Sequence, residues 1–433
     1  MGSRNVSPTA YWRLLSGNHN FRRLWFAQIV SELGDWIYVV AVYSRLLELT
    51  GRAESIALAA VLQTLPQIFA APISGILNDR LSRKRIMISA DLVRAVIVLL
   101  MLVATRAGHI WLIYTLIVLE TAMWAFFEPG RSAVVPNITG KDDLVVANTL
   151  SSVTWSVNFA LGSGLGGFIG AYFGLNAVFI INSGSFLLSA WFLRGMRFEE
   201  SHVQRKPLRA RDLIDFSPVT EGLRYVFSDR RLISLVMAKG GLGFLGANWV
   251  ILPIFGERIF PVMGGGLDAA RGAVLGMSAL MSARGVGALI GPYVTAHWTG
   301  QDQRRQRLGI LAGFGLGALG YVALAFAPAM WAAVLAVVVA HAGGSMVWVF
   351  STTLLQAHAA DRYRGRVFSA DFAFLVLGMS ATSYAAGQLI DHSIDVRVVA
   401  AGVGCLAALA AAGWAARIRD WPATDEAKTS ASI

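Results

Sequence analysis

Long apolar segments recur along almost the whole of this 433-residue chain, and they limit the folds open to it more than any other feature. A stretch of about 20 apolar residues crosses a bilayer as an α-helix. Charged types make up 15% of the residues, whereas soluble domains carry about 25%. The segments do not alternate with the period of two that a membrane β-barrel requires. The sequence therefore predicts an all-α integral membrane protein.

Twelve segments have the length and composition of transmembrane helices. The predicted spans are Phe21–Leu47, Ser55–Leu77, Ile86–Arg106, Ile110–Glu128, Leu144–Phe173, Leu175–Leu193, Leu232–Gly256, Ala270–Trp298, Leu308–Ala327, Met330–Gln356, Val367–Ile390 and Val396–Arg417. A polar segment at 196–231 divides them into two groups of six. We therefore predict an amino-terminal half at 1–195, a cytoplasmic linker at 196–231 and a carboxyl-terminal half at 232–433.

The formal charge of +11 arises from basic residues clustered between the apolar segments. Basic loops lie preferentially on the cytoplasmic side of a membrane. Most of the Lys and Arg residues fall on one side if both termini are cytoplasmic, so we expect a multi-pass protein of the cell membrane, most simply a monomer. Nucleic acid is excluded as a partner because the basic clusters do not form one water-facing surface.

The link between the second and third spans carries a charged motif that reads Gly75-Ile-Leu-Asn-Asp79-Arg80-Leu-Ser-Arg-Lys-Arg. It resembles the loop motif of the major facilitator superfamily, with a serine at the second glycine of that motif. The resemblance implies two six-helix pseudo-repeats. It also implies a cytoplasmic gate in which Gly75 allows close approach of the eleventh helix and Asp79 binds that helix near Arg366, with Arg80 beside it.

Further stretches narrow this resemblance to an exporter branch. The segments from Phe126 to Pro136, from Leu144 to Asn148 and from Gln28 to Asp35 look like those of macrolide-efflux, siderophore-export and lysophospholipid-transporter proteins. The resemblance implies secondary active transport and covers nearly the whole chain. It does not name a substrate.

Glycines recur every four residues in the fifth span, at Gly162, Gly166 and Gly170. The pattern around Gly162 also matches a dinucleotide-binding fingerprint. No strand precedes it and no acidic residue follows at the required distance, so that interpretation fails. We expect the glycines to let another helix pack closely.

Charged side chains within the spans are costly and indicate function. On the acidic side, Asp35 lies near mid-membrane, with Glu32 one turn away and Glu120 on the fourth span. We predict that these three are candidates for proton coupling, and that Glu32 and Asp35 titrate together if they are close. The pair Asp91 and Arg94 on the third span is expected to be structural.

Basic and aromatic side chains of other spans are candidates for a substrate cavity. The candidates are Arg284, His341, Lys239, Trp36 and Trp124. The single cysteine, Cys405, cannot form an internal disulfide, and the sequence indicates no metal cluster, cofactor or nucleotide-binding loop.

These observations predict proton-coupled export of an amphipathic small molecule by alternating access, with membrane lipid around the protein. A flippase for lysophospholipids is the alternative within the same class. A polytopic membrane enzyme would need reactive side chains clustered at one membrane face, and a receptor would normally carry a soluble output domain. The dispersed charges and the absence of such a domain favour a transporter over both.

Overall fold

The computed structural model describes residues 8–140, 143–200, 217–264, 266–300, 302–360, 363–419 and 421. Within these ranges the chain forms helices and no strand. The α-helices are α1 (Pro8–Gly17), α2 (His19–Thr50), α3 (Ala53–Leu62), α4 (Leu65–Arg80), α5 (Arg83–Leu100), α6 (Ile110–Ile138), α7 (Leu144–Phe173), α8 (Leu175–Arg194), α9 (Ser217–Ser228), α10 (Arg230–Gly243), α11 (Asn248–Ile254), α12 (Ala269–Thr299), α13 (Gln303–Ala325), α14 (Met330–His358), α15 (Arg364–Asp391) and α16 (Val396–Arg419).

Eleven helical segments are long and apolar enough to cross a membrane. The first predicted span corresponds to α2, which is not among the eleven because its 32 residues include several charged side chains. At a rise of about 1.5 Å per residue, α2 is nonetheless longer than the hydrocarbon thickness of about 30 Å. The structure is therefore consistent with the twelve predicted spans.

Polar caps place the helix ends at the boundaries of the apolar segments. The side chain of Asn18 accepts a hydrogen bond from the backbone N–H of Phe21 and so caps α2. Ser82 caps α5 in the same way, and Asp302 caps α13. At the other end of α2, Gly51 has φ 65°, a left-handed conformation that glycine adopts at low cost.

The fourth and tenth predicted spans have matching geometry. Both α6 and α14 contain 29 residues. Links of equal length, 139–143 and 359–363, join them to α7 and α15. The agreement in length points to a repeated unit, with α1–α8 as the first half and α9–α16 as the second half.

Two of the predicted spans are interrupted. The second span consists of α3 and α4, separated at Gln63 and Thr64. In the seventh, a 3₁₀ segment at Phe244–Ala247 separates α10 from α11, and a π-helical turn at Phe255–Ile259 follows. Such irregular turns alter the direction of the backbone hydrogen bonds and often occur at functional sites.

The two ends of the bundle differ in how the halves meet. We call the end where α2 begins and α4 ends the basic end, and the end where α2 ends and α3 begins the far end. Among the described residues, the hydrogen bonds and ring contacts between halves lie at mid-helix or at the far end. An example is the bond from Arg258 Nη2 to the carbonyl of Gly51, at 2.9 Å. The far end is sealed and the basic end is open.

Candidate functional site

One arginine and three carboxyl groups form a buried cluster between α2, α5 and α6. Arg94 donates from Nη2 to both carboxylate oxygens of Asp35, at 2.7 and 2.8 Å. The same guanidinium donates from Nε and Nη2 to Oε1 of Glu120, at 2.9 and 2.6 Å. Asp91 lies 3.8 Å from Nη1 of Arg94 and accepts a hydrogen bond from Ser189 at 2.6 Å. Three carboxyl groups thus face a single positive charge.

The exposure of these side chains shows which of them can exchange protons with an aqueous space. The side chain of Asp35 is 21% exposed and that of Glu120 is 11% exposed. Arg94 is 1% exposed and Asp91 is fully buried. Asp35 is therefore the member of the cluster nearest to a water-filled space, and Asp91 is the most enclosed.

The sequence-based interpretation of Asp91 and Arg94 as an isolated structural pair is wrong. The distance of 3.8 Å between Nη1 and Oδ1 is too long for a hydrogen bond. The short, charge-assisted bonds of Arg94 go to Asp35 and Glu120 instead. Arg94 therefore belongs to the same cluster as two of the acids predicted to carry protons.

Glu32 lies one turn from Asp35 on α2 but belongs to a separate polar group. Its carboxylate accepts hydrogen bonds from Gln28 Nε2 at 2.9 Å and from Asn158 Nδ2 at 3.3 Å. These bonds connect α2 with α7 and do not involve Arg94. In this structure, the acid that shares a partner with Asp35 is Glu120.

Arg284 lies at the midpoint of α12, among aromatic rings from both halves. Its Cζ is 3.8 Å from the ring centre of Trp249 and 4.8 Å from that of Phe159. Trp36 stacks on Phe159 with 4.0 Å between ring centres, and Trp155 meets Trp36 edge-on at 5.6 Å. Within the described part of the chain, Arg284 has neither a carboxylate partner nor a hydrogen-bond acceptor.

Lys239 and His341, predicted to line the cavity, are bonded inside the second half instead. Lys239 Nζ donates to Asp371 at 2.6 Å and to Thr352 at 2.8 Å, and the residue is 3% exposed. His341 is hydrogen-bonded through Nε2 to the hydroxyl of Tyr321 at 3.1 Å and is 8% exposed. Neither is a free cavity side chain in this structure, because each already has a polar partner and little access.

Trp124, the remaining cavity candidate, is half-buried on α6. Trp36 takes part in the ring stack with Phe159, whereas no ring contact joins Trp124 to that stack among the described residues. The sequence identified both tryptophans by composition and depth. It did not identify which one faces Arg284.

Three of the predicted gate residues, Gly75, Arg80 and Arg366, lie among the described side chains. A Cβ at Gly75 would meet no atom within 4 Å, so the close approach of the eleventh span predicted there is not present. The reason is that the basic end is open. Arg366 pairs with Glu221 of α9, and Arg80 has bonding partners of its own. The side chain of Asp79 lies outside the described part, so its contact with α15 stays a prediction.

The glycines of the fifth span lie against α2 and α12. A Cβ at Gly162 would be 2.6 Å from Cβ of Trp36, and one at Gly166 would be 2.8 Å from the carbonyl oxygen of Ile37. Gly170 faces Val274 of α12 instead. Helix α7 thus connects the two halves at the level of the aromatic rings, and a larger residue at Gly162 would push Trp36 out of its stack.

Asp391, the last residue of α15, binds the amino terminus of α3 and so joins the halves at the far end. Its carboxylate accepts hydrogen bonds from the backbone N–H groups of Ala53 and Glu54, at 2.8 and 2.9 Å. Nε of Arg52 lies 3.5 Å away, and Gln388 donates to Glu54 at 2.7 Å. A carboxylate is disfavoured at the end of its own helix and favoured at the start of another. The sequence analysis missed this residue.

We expect Asp391→Ala to weaken the far-end seal and to shift the protein towards a state open at that end. The change removes the acceptor of two backbone hydrogen bonds across the halves. Spin labels at the exposed positions Glu48 and His392 should then lie farther apart, and labels at Arg85 and Arg304 should come closer together. Pulsed electron paramagnetic resonance measures both distances.

The matched control is Asp79→Asn, which is expected to act in the opposite direction by weakening closure of the basic end. Both variants are made in a chain with Cys405 replaced by serine, because Cys405 is a free and exposed cysteine. Unchanged distance distributions in Asp391→Ala would contradict a sealing role for this carboxylate.

The described residues contain no group of three or more potential metal-ligating side chains. The polar side chains at mid-helix therefore form two arrangements within the described chain: an acidic cluster that can hold or release protons around Arg94, and a cation with aromatic walls around Arg284. The first lies within one half, and the second lies between the halves.

Comparison with known families gives a match over residues 11–432 to a family described as transmembrane secretion effectors. A relative from Bacillus subtilis (strain 168), the uncharacterized MFS-type transporter YkuC, is 27% identical over 246 residues, which cover 55% of this chain and 56% of YkuC. The chain thus matches little more than half the length of that curated relative. The putative bacilysin exporter BacE of Bacillus subtilis is 22% identical over 387 residues, covering 88% of this chain and 90% of BacE.

Among solved structures, the nucleoside transporter NupG superposes with a TM-score of 0.71. The superposition covers 93% of this chain and 99% of NupG, at 11% sequence identity. At this identity the likeness concerns the fold and not the substrate. It places the two halves and the sealed far end within a known architecture of membrane proteins.

Proposed function

This chain belongs to the family of transmembrane secretion effectors, and we propose that it exports an amphipathic small molecule from the cell in exchange for protons. Membership confirms the predicted resemblance to the major facilitator superfamily. The likeness to NupG confirms the all-helical fold of two six-helix pseudo-repeats. The relatives are transporters and not enzymes.

The observation that carries the proton-coupling proposal is the binding of Asp35 and Glu120 to the single cation Arg94. Because three carboxyl groups surround one guanidinium, the cluster can gain or lose a proton and still keep Arg94 paired. Asp35 has the largest exposure in the cluster, so it is the exchange point. Movement of α2 would change both its access to water and its distance from Arg94.

Alternating access supplies the transport step in this proposal. In the present conformation the basic end is open and Asp391 holds the far end closed. Substrate enters the cavity from the basic end, the halves rock, and the gate at Gly75 and Asp79 closes behind it. The irregular turns at Phe244–Ala247 and Phe255–Ile259 provide points at which the backbone can bend.

The test is transport by the purified protein in sealed liposomes with and without an imposed pH difference. We expect a fluorescent amphiphile to be moved against its gradient only when a pH difference is present. If transport ignores the pH difference and a labelled lysophospholipid crosses between leaflets, the flippase alternative replaces proton-coupled export. A chemically altered probe would contradict both.

We further propose that the chain acts as a monomer in the cell membrane, with the basic end and both termini in the cytoplasm. The bias of basic residues towards cytoplasmic loops supports this orientation. A tag placed after Ile433, or within the 196–231 linker near Lys206, is expected to be protected from an impermeant reagent in intact cells. Labelling of either tag from outside would contradict the orientation.

A further inference from the structure

An unpaired cation lies beside stacked aromatic rings where the two halves meet. Arg284 lies over Trp249 of the second half and Phe159 of the first half, at 3.8 and 4.8 Å. Trp36 stacks on Phe159 and is nearly parallel to Trp249, with 7° between the ring planes. A cation within a membrane span is costly unless another group compensates its charge. Within the described residues no carboxylate does so.

The free polar atoms of this group are donors. A guanidinium has five N–H donors and no acceptor, and an indole has one donor. Arg284 donates to no protein acceptor among the described residues, and Nε1 of Trp249 is buried without one. A buried donor without a partner is uncommon and asks for a ligand or another explanation. The missing partner is a group that accepts hydrogen bonds and carries negative charge.

The backbone around Trp249 supports a ligand site. The residue lies in the short helix α11, between the 3₁₀ segment Phe244–Ala247 and the π-helical turn Phe255–Ile259. Discontinuous helices near the membrane midplane form the binding sites of many secondary transporters. Arg284 is the midpoint of α12, and Trp36 and Phe159 lie close to the middle of their helices, so the group sits at that depth.

We propose that Arg284, Trp249, Phe159 and Trp36 form the binding site for an organic anion that carries a flat aromatic ring. Its carboxylate or similar group pairs with Arg284 and accepts from Trp249. Its ring packs against Trp36 and Phe159 in the offset or edge-on arrangements that aromatic groups favour. This substrate class rests on the proposed function for its transport role, whereas binding itself can be measured without transport.

The test is titration calorimetry of the purified full chain in detergent with four matched probes. The probes are naphthalene-2-carboxylate, naphthalen-2-ylmethanol, naphthalen-2-ylmethylammonium and cyclohexanecarboxylate, each corrected for its heat with empty micelles. We expect naphthalene-2-carboxylate to bind at least about tenfold more tightly than the alcohol, because a hydrogen bond to a charged group contributes about that much. The ammonium and the cyclohexane probe should bind more weakly than the carboxylate.

Arg284→Gln is expected to abolish the preference for the carboxylate over the alcohol. Arg284→Lys should keep part of the preference, because it retains the charge and loses the planar fork. Trp249→Phe keeps a ring but removes the N–H, so it should weaken the carboxylate several-fold more than the alcohol. If Arg284→Gln is not monodisperse on size exclusion, the other two variants decide the result.

The matched controls are Arg45→Gln at the far end, where Arg45 donates to Asn176, and Trp331→Phe on the outer surface, where Trp331 is 67% exposed. Both should bind all probes as the wild type does. Equal binding of the naphthalene probes, no binding of any probe, or a carboxylate preference that survives in Arg284→Gln would overturn the proposal.

The outcome for the substrate class is separable from the outcome for proton-coupled export. If the carboxylate binds at Arg284 but is not moved by a pH difference in liposomes, the binding site stands and the proposed function fails. If a pH difference drives a cationic or neutral probe instead, the proposed function stands and the substrate class is overturned.

Discussion

Asp35→Asn is expected to reduce uphill transport driven by a pH difference to the level of empty liposomes. The amide keeps the size of the side chain and can still accept a hydrogen bond from Arg94, but it cannot ionise. Asp35 is the most exposed acid around Arg94, so its loss removes the point at which the cluster exchanges protons. Movement of substrate down its own gradient, and binding in detergent, should persist.

The matched control for this variant is Asp91→Asn. Asp91 is the enclosed member of the same cluster, bonded to Ser189 and fully buried. We expect it to affect stability more than coupling, so that pH-driven transport remains. If Asp35→Asn keeps full pH-driven transport, coupling by Asp35 is wrong. Glu120→Gln and Glu32→Gln then identify which other acid is required.

Arg94→Met is expected to destabilise the protein by about 3–5 kcal/mol, the range found when one partner of a buried ion pair is removed. The cost is large because Arg94 is the shared partner of Asp35 and Glu120. Its guanidinium also lies 4.1 Å from the ring centre of Phe186, so its contacts with this ring are lost as well. The measurement is unfolding of the purified protein in mixed micelles as the denaturing detergent is increased.

Lys239→Met is the comparison for this result. Lys239 pairs with one carboxylate, that of Asp371, so its removal leaves a single acid, which a proton can neutralise. We expect a smaller loss of stability than for Arg94→Met, and a partial recovery when Arg94→Met is combined with Glu120→Gln. A loss for Arg94→Met no larger than that for Lys239→Met would contradict the view that Arg94 compensates several acids.

The positions of the spans were predictable because each needs only its own apolar composition. Leu144–Phe173 is the same range in the prediction and in α7. The interruption of the seventh span at Phe244–Ala247 was not predicted, because apolar composition does not register a change in the backbone hydrogen-bond pattern. Helix ends set by caps, such as that of Asp302 on α13, shifted predicted boundaries by a few residues.

The candidate site was predicted in its members but not in their pairing. Depth along a helix identified Asp35, Glu120 and Arg284 as costly charges. Which of them meet depends on the faces that α2, α5 and α6 present to each other, and spacing within one helix does not contain that information. Arg94 was therefore assigned to its neighbour Asp91, although its short bonds cross to two other helices.

Asp391 could have been identified with the reasoning applied to Asp79. Both are acids at the carboxyl-terminal end of a helix, where the helix dipole disfavours negative charge. The predicted eleventh span ended at Ile390, one residue short, so Asp391 was taken as part of a loop. Its contact with Ala53 spans 338 positions in the chain.

The bond between Asp391 and α3 has a consequence for how this surface tolerates substitution. The partners of the carboxylate are backbone N–H groups, so most side-chain changes at Ala53 and Glu54 leave them in place. Proline is the exception at Ala53, because it lacks the N–H. Proline is usually well accepted at the first position of a helix, and Arg52 before it already has the extended backbone that proline prefers. In a deep mutational scan, Ala53→Pro should thus permit folding and insertion yet impair transport.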